Sequence, residues 1–132
     1  MKAHKVTIDT IKDWIEARAL SCPDRLDTEI DTVLACDLMS DLLAHAKPGA
    51  ILLTGLSNIQ MVLALLAADM TAAVIVRGKL PEDRVTKMAE ENGIPLLATR
   101  MSLFEACGEL YAKGLRGVQP EEHFIHVVRT PD

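Results

Sequence analysis

Three short apolar runs recur down the middle of the chain, each followed by a segment of helix length: Ile51-Leu52-Leu53, Ala72-Ala73-Val74-Ile75-Val76 and Pro95-Leu96-Leu97-Ala98-Thr99. Their starts lie 21 and 23 residues apart, the spacing of short parallel βα units. The runs are continuously apolar where a half-exposed strand would alternate, as strands buried on both faces require. Parallel neighbours cannot be joined by hairpins, so each run needs a crossover helix. The expected fold class is therefore α/β, with a mainly parallel sheet built from short βα units.

The punctuation between the runs agrees. Helices are expected over about Asn58 to Asp69, Pro81 to Asn92 and Ser102 to Lys113. Pro48-Gly49 breaks the chain before the first run, and Gly93 and Gly114 stand where helix C-caps belong. Pro81 fits a first helical position, with Glu82 and Asp83 in the first turn, where the helix dipole favours acids. Ser102-Leu103-Phe104-Glu105 is a capping box. Upstream, Thr7 or Asp9 caps a helix carrying Ile11, Trp14, Ile15 and Arg18, and Ser21 to Glu29 reads as a loop. Thr32-Val33-Leu34-Ala35 reads as a strand that leads into a helix from Leu38 to Ala46. After Gly117 the tail is expected either to hold a short strand around Phe124 to Val128 or to be loosely ordered.

At 132 residues the chain suits one domain. Its net charge of -5, with one Trp, one Tyr and two Phe, argues against nucleic acid as a partner. The basic residues are scattered, and the longest apolar stretch, Met61 to Ala68, is far below the ~20 residues of a membrane span, so no membrane association is expected. The N-terminus has no signal-peptide core. Cys22, Cys36 and Cys107 are an odd set without a close pair, which suits reduced thiols and a cytoplasmic location. The helix after the first run, Ile59 to Ala68, has almost no polar face and calls for cover on every side. A symmetric homodimer is the expected cover, and burial within an ordinary three-layer fold with a long tail is the alternative.

Ligands of an open parallel sheet bind outside the carboxyl ends of its strands. Here those ends read Ala35-Cys36-Asp37, Thr54-Gly55-Leu56-Ser57-Asn58, Arg77-Gly78-Lys79 and Thr99-Arg100-Met101-Ser102. N–H groups at helix starts suit an anion, and Arg77, Lys79 or Arg100 offer countercharge. The same residues also have an ordinary reading: Thr, Ser and Asn ahead of a helix are caps, and Gly55 permits a tight turn. If the chain senses a small anion, the expected pocket is Asp37, Ser40, Thr54, Gly55, Ser57, Asn58, Arg77 and Ser102. Asn58 and Ser102 would present helix N–H groups, and Arg77 would pair with the charge. Neither the G-x-x-x-x-G-K-[ST] of a P-loop nor the G-x-G-x-x-G of a dinucleotide site is present, and no cofactor is expected. His123-x-x-His126 has no third ligand, so no metal is expected. Asp37 and Asp41, four apart at a helix start, would serve either as paired carboxylates of a small enzyme or as a solvated first turn.

The run ACDLMSDLLAHAKPGAILLTGLSN, followed by VRGKLPEDRVTKMAEENGIPLLATRMSLFEACGELYAKGL, resembles the DRTGG domain over roughly Thr32 to Leu115. The most specific pieces are Asp37-Leu38-Met39-Ser40-Asp41, Gly93-Ile94-Pro95-Leu96-Leu97 and Ser102-Leu103-Phe104-Glu105. Such domains are similar to the N-terminal domain of HPr kinase/phosphorylase and occur inside phosphotransacetylases and CBS-domain pyrophosphatases. The resemblance implies a three-layer α/β/α sandwich used for regulation or dimerisation, without catalysis of its own. No contiguous DRTGG string is present, Leu56 stands where a second glycine would follow Gly55, and no kinase part is implied. The organisation expected is an N-terminal helix and loop over residues 1–30, a DRTGG-like core over 31–117 and a tail over 118–132. A non-catalytic regulatory module is the leading expectation, serving a small anionic ligand or a protein partner. A nucleotide or phosphometabolite binder and a small enzyme are the alternatives.

Overall fold

The computed structural model describes residues 5–118. A two-residue strand, β1 (Val6–Thr7), leads directly into α1 (Ile8–Trp14). Of the two cap candidates the fold uses Thr7, whose hydroxyl accepts from the Thr10 N–H at 3.1 Å. Strand β2 (Arg18–Ala19), a single 3-10 turn (Pro23–Arg25) and β3 (Glu29–Ile30) follow, and β3 pairs antiparallel with β1. From there strand and helix alternate: β4 (Thr32–Ala35), α2 (Met39–His45), β5 (Ile51–Thr54), α3 (Ile59–Ala67), β6 (Ala72–Ile75), α4 (Asp83–Glu91), β7 (Leu96–Ala98), α5 (Leu103–Ala112) and β8 (Arg116–Gly117).

The main sheet has the order β2-β7-β6-β5-β4-β8, parallel throughout except where β2 meets β7. From β4 to β7 the chain steps in one direction across the sheet. Right-handed crossovers then place α2, α3 and α4 on one face. There Leu42, Met61, Leu65, Val85 and Ala89 pack on Leu52, Ala73, Ile75 and Leu96. Helix α5 runs back the other way, from β7 to β8 at the far edge, and the same handedness puts it on the opposite face beside α1. On that side Ile8, Ile11, Ile15, Ala106 and Leu110 pack on Ile51, Leu53, Val74 and Leu97. Three layers result, and β5 and β6 are buried at every position, which accounts for their continuous apolar runs.

Some expectations need correction. Arg18 lies in β2 rather than on the first helix, because that helix ends at Trp14 and the chain turns through left-handed Glu16 (φ 54°) to reach the sheet edge. Pro81 stands ahead of α4 rather than in its first turn, since extended Glu82 is the N-cap. The polar stretch from Ser21 holds the 3-10 turn and β3, and is anchored at a buried serine: the Ser21 hydroxyl donates to the Ile94 carbonyl and accepts from the Leu96 N–H, both at 2.8 Å. Gly93 and Gly114 follow the C-caps of α4 and α5 with φ of 72° and 107°, as their sequence positions predict. On α3, Met61, Val62, Ala64 and Leu65 are buried, whereas Leu63 and Leu66 stay 50% and 38% exposed. The strand expected over Phe124 to Val128 and the pair His123 and His126 lie outside the described residues.

Candidate functional site

The carboxyl ends of β4, β5 and β6 converge on one residue, Gly55. Asp37, just past β4, places Oδ1 at 2.6 Å from the Gly55 N–H, which donates to it. Its Oδ2 lies 3.6 Å from Arg77 Nη2. In the next peptide unit Lys79 Nζ donates to the Gly55 carbonyl at 2.7 Å. A Cβ at position 55 would run into the Arg77 guanidinium and come within 3.1 Å of Asp37 Oδ1. The close approach of the Arg77 guanidinium, not a left-handed backbone, is what a side chain at this position would disturb.

Arg77 reaches this position through an unfavourable backbone. It is left-handed at φ 63°, and Gly78 follows at φ 71°, so the strand ends in a turn closed by the Lys79 N–H on the Val76 carbonyl at 3.4 Å. A left-handed arginine costs roughly 1–2 kcal/mol. Two bonds hold it: the Arg77 N–H donates to the Met101 carbonyl at 2.8 Å and the Gly78 N–H to the Thr99 carbonyl at 2.9 Å. The β6 loop is thereby laced to the β7 loop, with Arg100 between the two bonds.

The other sequence-predicted residues have local duties. Thr54 is buried and its hydroxyl accepts from the Leu56 N–H at 2.9 Å. Asn58 Oδ1 accepts from the Met61 N–H at 3.0 Å, and the Ser102 hydroxyl from the Glu105 N–H at 3.1 Å, so both cap their helices. The Ser40 and Ser57 side chains make no hydrogen bond among the described residues. The structure thus brings Asp37, Gly55 and Arg77 together with Lys79, and leaves Asn58 and Ser102 as caps. Asp41 makes no ion pair among the described residues, while Asp37 is engaged with Gly55 and Arg77. Burial, and then the Asp41 charge, push the nearby Cys36 thiol up from 9.0, so it is protonated at neutral pH and a poor nucleophile. Among the described residues no group of three His, Cys, Asp or Glu is arranged to hold a metal, and no helix is long and apolar enough to cross a membrane.

The sequence profile of the DRTGG domain matches residues 10–111. The chain belongs to the DRTGG domain family. The match begins inside α1, well ahead of the segment where the quoted motifs lie. Among solved structures, the chain is similar to the CBS and DRTGG domains of the regulatory region of Clostridium perfringens pyrophosphatase, complexed with its activator diadenosine tetraphosphate. The TM-score is 0.66 at 19% identity, covering 79% of this chain and 45% of that one. This DRTGG domain therefore shares the fold and spans less than half of that regulatory region. No curated protein matches the chain.

Proposed function

We propose that this DRTGG domain is a non-catalytic regulatory module that senses a small anionic ligand at the carboxyl edge of its sheet and works as a cytoplasmic homodimer. One observation carries the ligand reading: a carboxylate already sits in the cradle. Asp37 takes the Gly55 N–H and faces Arg77, the partners an oxyanion seeks. The Asp37 and Arg77 side chains are 41% and 48% exposed, and such pairs contribute only about 0–1 kcal/mol. A phosphate or carboxylate displaces Asp37 at small cost and gains both Arg77 and the N–H. Strain held at Arg77 supports the same reading, since backbone of this kind clusters at ligand clamps. So does the family, whose similar structure belongs to a regulatory region complexed with an activator. The dimer rests on the exposed leucines of α3, and the location on three cysteines without a close pair in sequence.

The test is thermal unfolding against a panel of nucleotides and phosphorylated metabolites, with Arg77→Ala alongside. A ligand at 100 times its Kd adds about 2.7 kcal/mol. A shift lost in Arg77→Ala, with the unliganded midpoint unchanged, is the expected result. No shift with any compound defeats the sensor reading and leaves a protein partner as the function to pursue.

A further inference from the structure

The cradle has a neighbour on its β7 side. Strand β6 leads to α4 on one face of the sheet, whereas the adjacent β7 leads to α5 on the other. The loops after these two strands therefore diverge, and that point of divergence is where open parallel sheets bind ligands. A cleft of about 350 Å³ lies there, lined by Glu16, Arg18, Gly78, Leu80, Thr99 and Arg100. Arg18 arrives from the antiparallel edge strand β2, and Arg100 from the end of β7. Neither side chain makes a hydrogen bond or ion pair among the described residues, nor does that of Glu16. Two arginines and one carboxylate, Glu16, face the cleft, and neither arginine is ion-paired among the described residues, in a chain whose net charge is -5.

We infer that the ligand carries two separated acidic groups, one on the Gly55–Arg77 cradle and one between Arg18 and Arg100, with bisphosphates as the chemical class. This rests on the cradle reading above. Arg77 and Gly78 link the two halves, since their N–H groups are bonded to Met101 and Thr99 on either side of Arg100. Glu16 suits a hydroxyl on the body of the ligand and disfavours additional negative charge beside the arginines.

The experiment is calorimetric titration of the full chain with propane-1,3-diol and hexane-1,6-diol bisphosphates and with the corresponding monophosphates. The proteins are the wild type, Arg18→Gln, Arg100→Gln, Glu16→Gln and Arg77→Ala. All four sites are exposed, and the unfolding midpoint of each variant is to be measured as the control for folding. A bisphosphate should bind at least about tenfold tighter than its monophosphate, the effect of one further charge-assisted contact. Arg18→Gln or Arg100→Gln should erase that advantage and leave the monophosphate untouched, and Glu16→Gln should tighten the bisphosphate. Equal affinity for mono- and bisphosphate, with Arg77→Ala still abolishing both, overturns the second subsite and spares the cradle. Bisphosphate binding that ignores Arg77→Ala but needs Arg18 and Arg100 overturns the cradle and the two-ended ligand. Binding of neither class overturns both.

Discussion

Gly55 is held on three sides, since Asp37 accepts from its N–H, Lys79 donates to its carbonyl and the Arg77 guanidinium fills the space of a side chain. Two predictions follow from the way these partners differ. Asp37→Asn keeps an acceptor for the Gly55 N–H and removes the charge that competes for Arg77. Its affinity for phosphate compounds should rise several-fold while stability changes by less than about 1 kcal/mol, read by calorimetric titration and urea unfolding. Unchanged or weaker binding would show that Asp37 does not occupy the anion position. In Gly55→Ala the nearest obstacle is the end of a flexible arginine, not backbone, so the fold yields cheaply. Stability should fall by under about 1 kcal/mol, yet ligand affinity should drop about tenfold or more because Arg77 is pushed aside. Full affinity in this variant would mean that Arg77 does not need to lie over Gly55.

At the scale of elements, local signals were legible and long-range ones were not. The Ser102 cap, which forms without the reciprocal Glu105 bond of a full capping box, and the glycines after α4 and α5 act within a few residues and stand where the sequence places them. Ser21 had no such signature, because its partners are 73 and 75 residues away at the start of β7. Strand β2 was missed for the same reason: two residues, Arg18 and Ala19, form no pattern until they meet Ala98 and Leu97. Ser21→Ala leaves the Leu96 N–H buried without its acceptor and should cost about 1–3 kcal/mol, measured as a lower urea midpoint at an unchanged slope. A loss below half a kcal/mol would show that this buried bridge contributes little to joining the N-terminal segment to the sheet.

Across the whole molecule two features stand against the average composition. The charge is net negative, yet Arg18, Arg77, Lys79 and Arg100 gather at one edge of the sheet, where they would concentrate anions locally. Helix α3 carries no charged residue, and between α2 and α4 it still turns Leu63 and Leu66 outward, with Leu43 exposed on α2. If a second copy covers this face, Leu63→Glu should convert a sedimenting dimer into a monomer with little change in the cradle's ligand affinity. A wild-type chain that sediments as a monomer at micromolar concentration would remove the homodimer from the proposed function.

The sequence by itself determined the α/β class, the four consecutive parallel strands, the helices between them and the family. Hydrophobic runs, caps and C-terminal glycines are properties of neighbouring residues, and they survive without knowledge of the fold. It also marked Asp37, Gly55 and Arg77 as candidates, since strand ends in a parallel sheet share one edge. Only the tertiary structure decided that these three touch, that Asn58 and Ser102 spend their side chains on their own helices, and that Arg18 joins Arg100 across a cleft. Those meetings depend on sheet order and crossover handedness. They bring together residues as far apart as Arg18 and Arg100, a separation over which a single sequence carries no periodic signal.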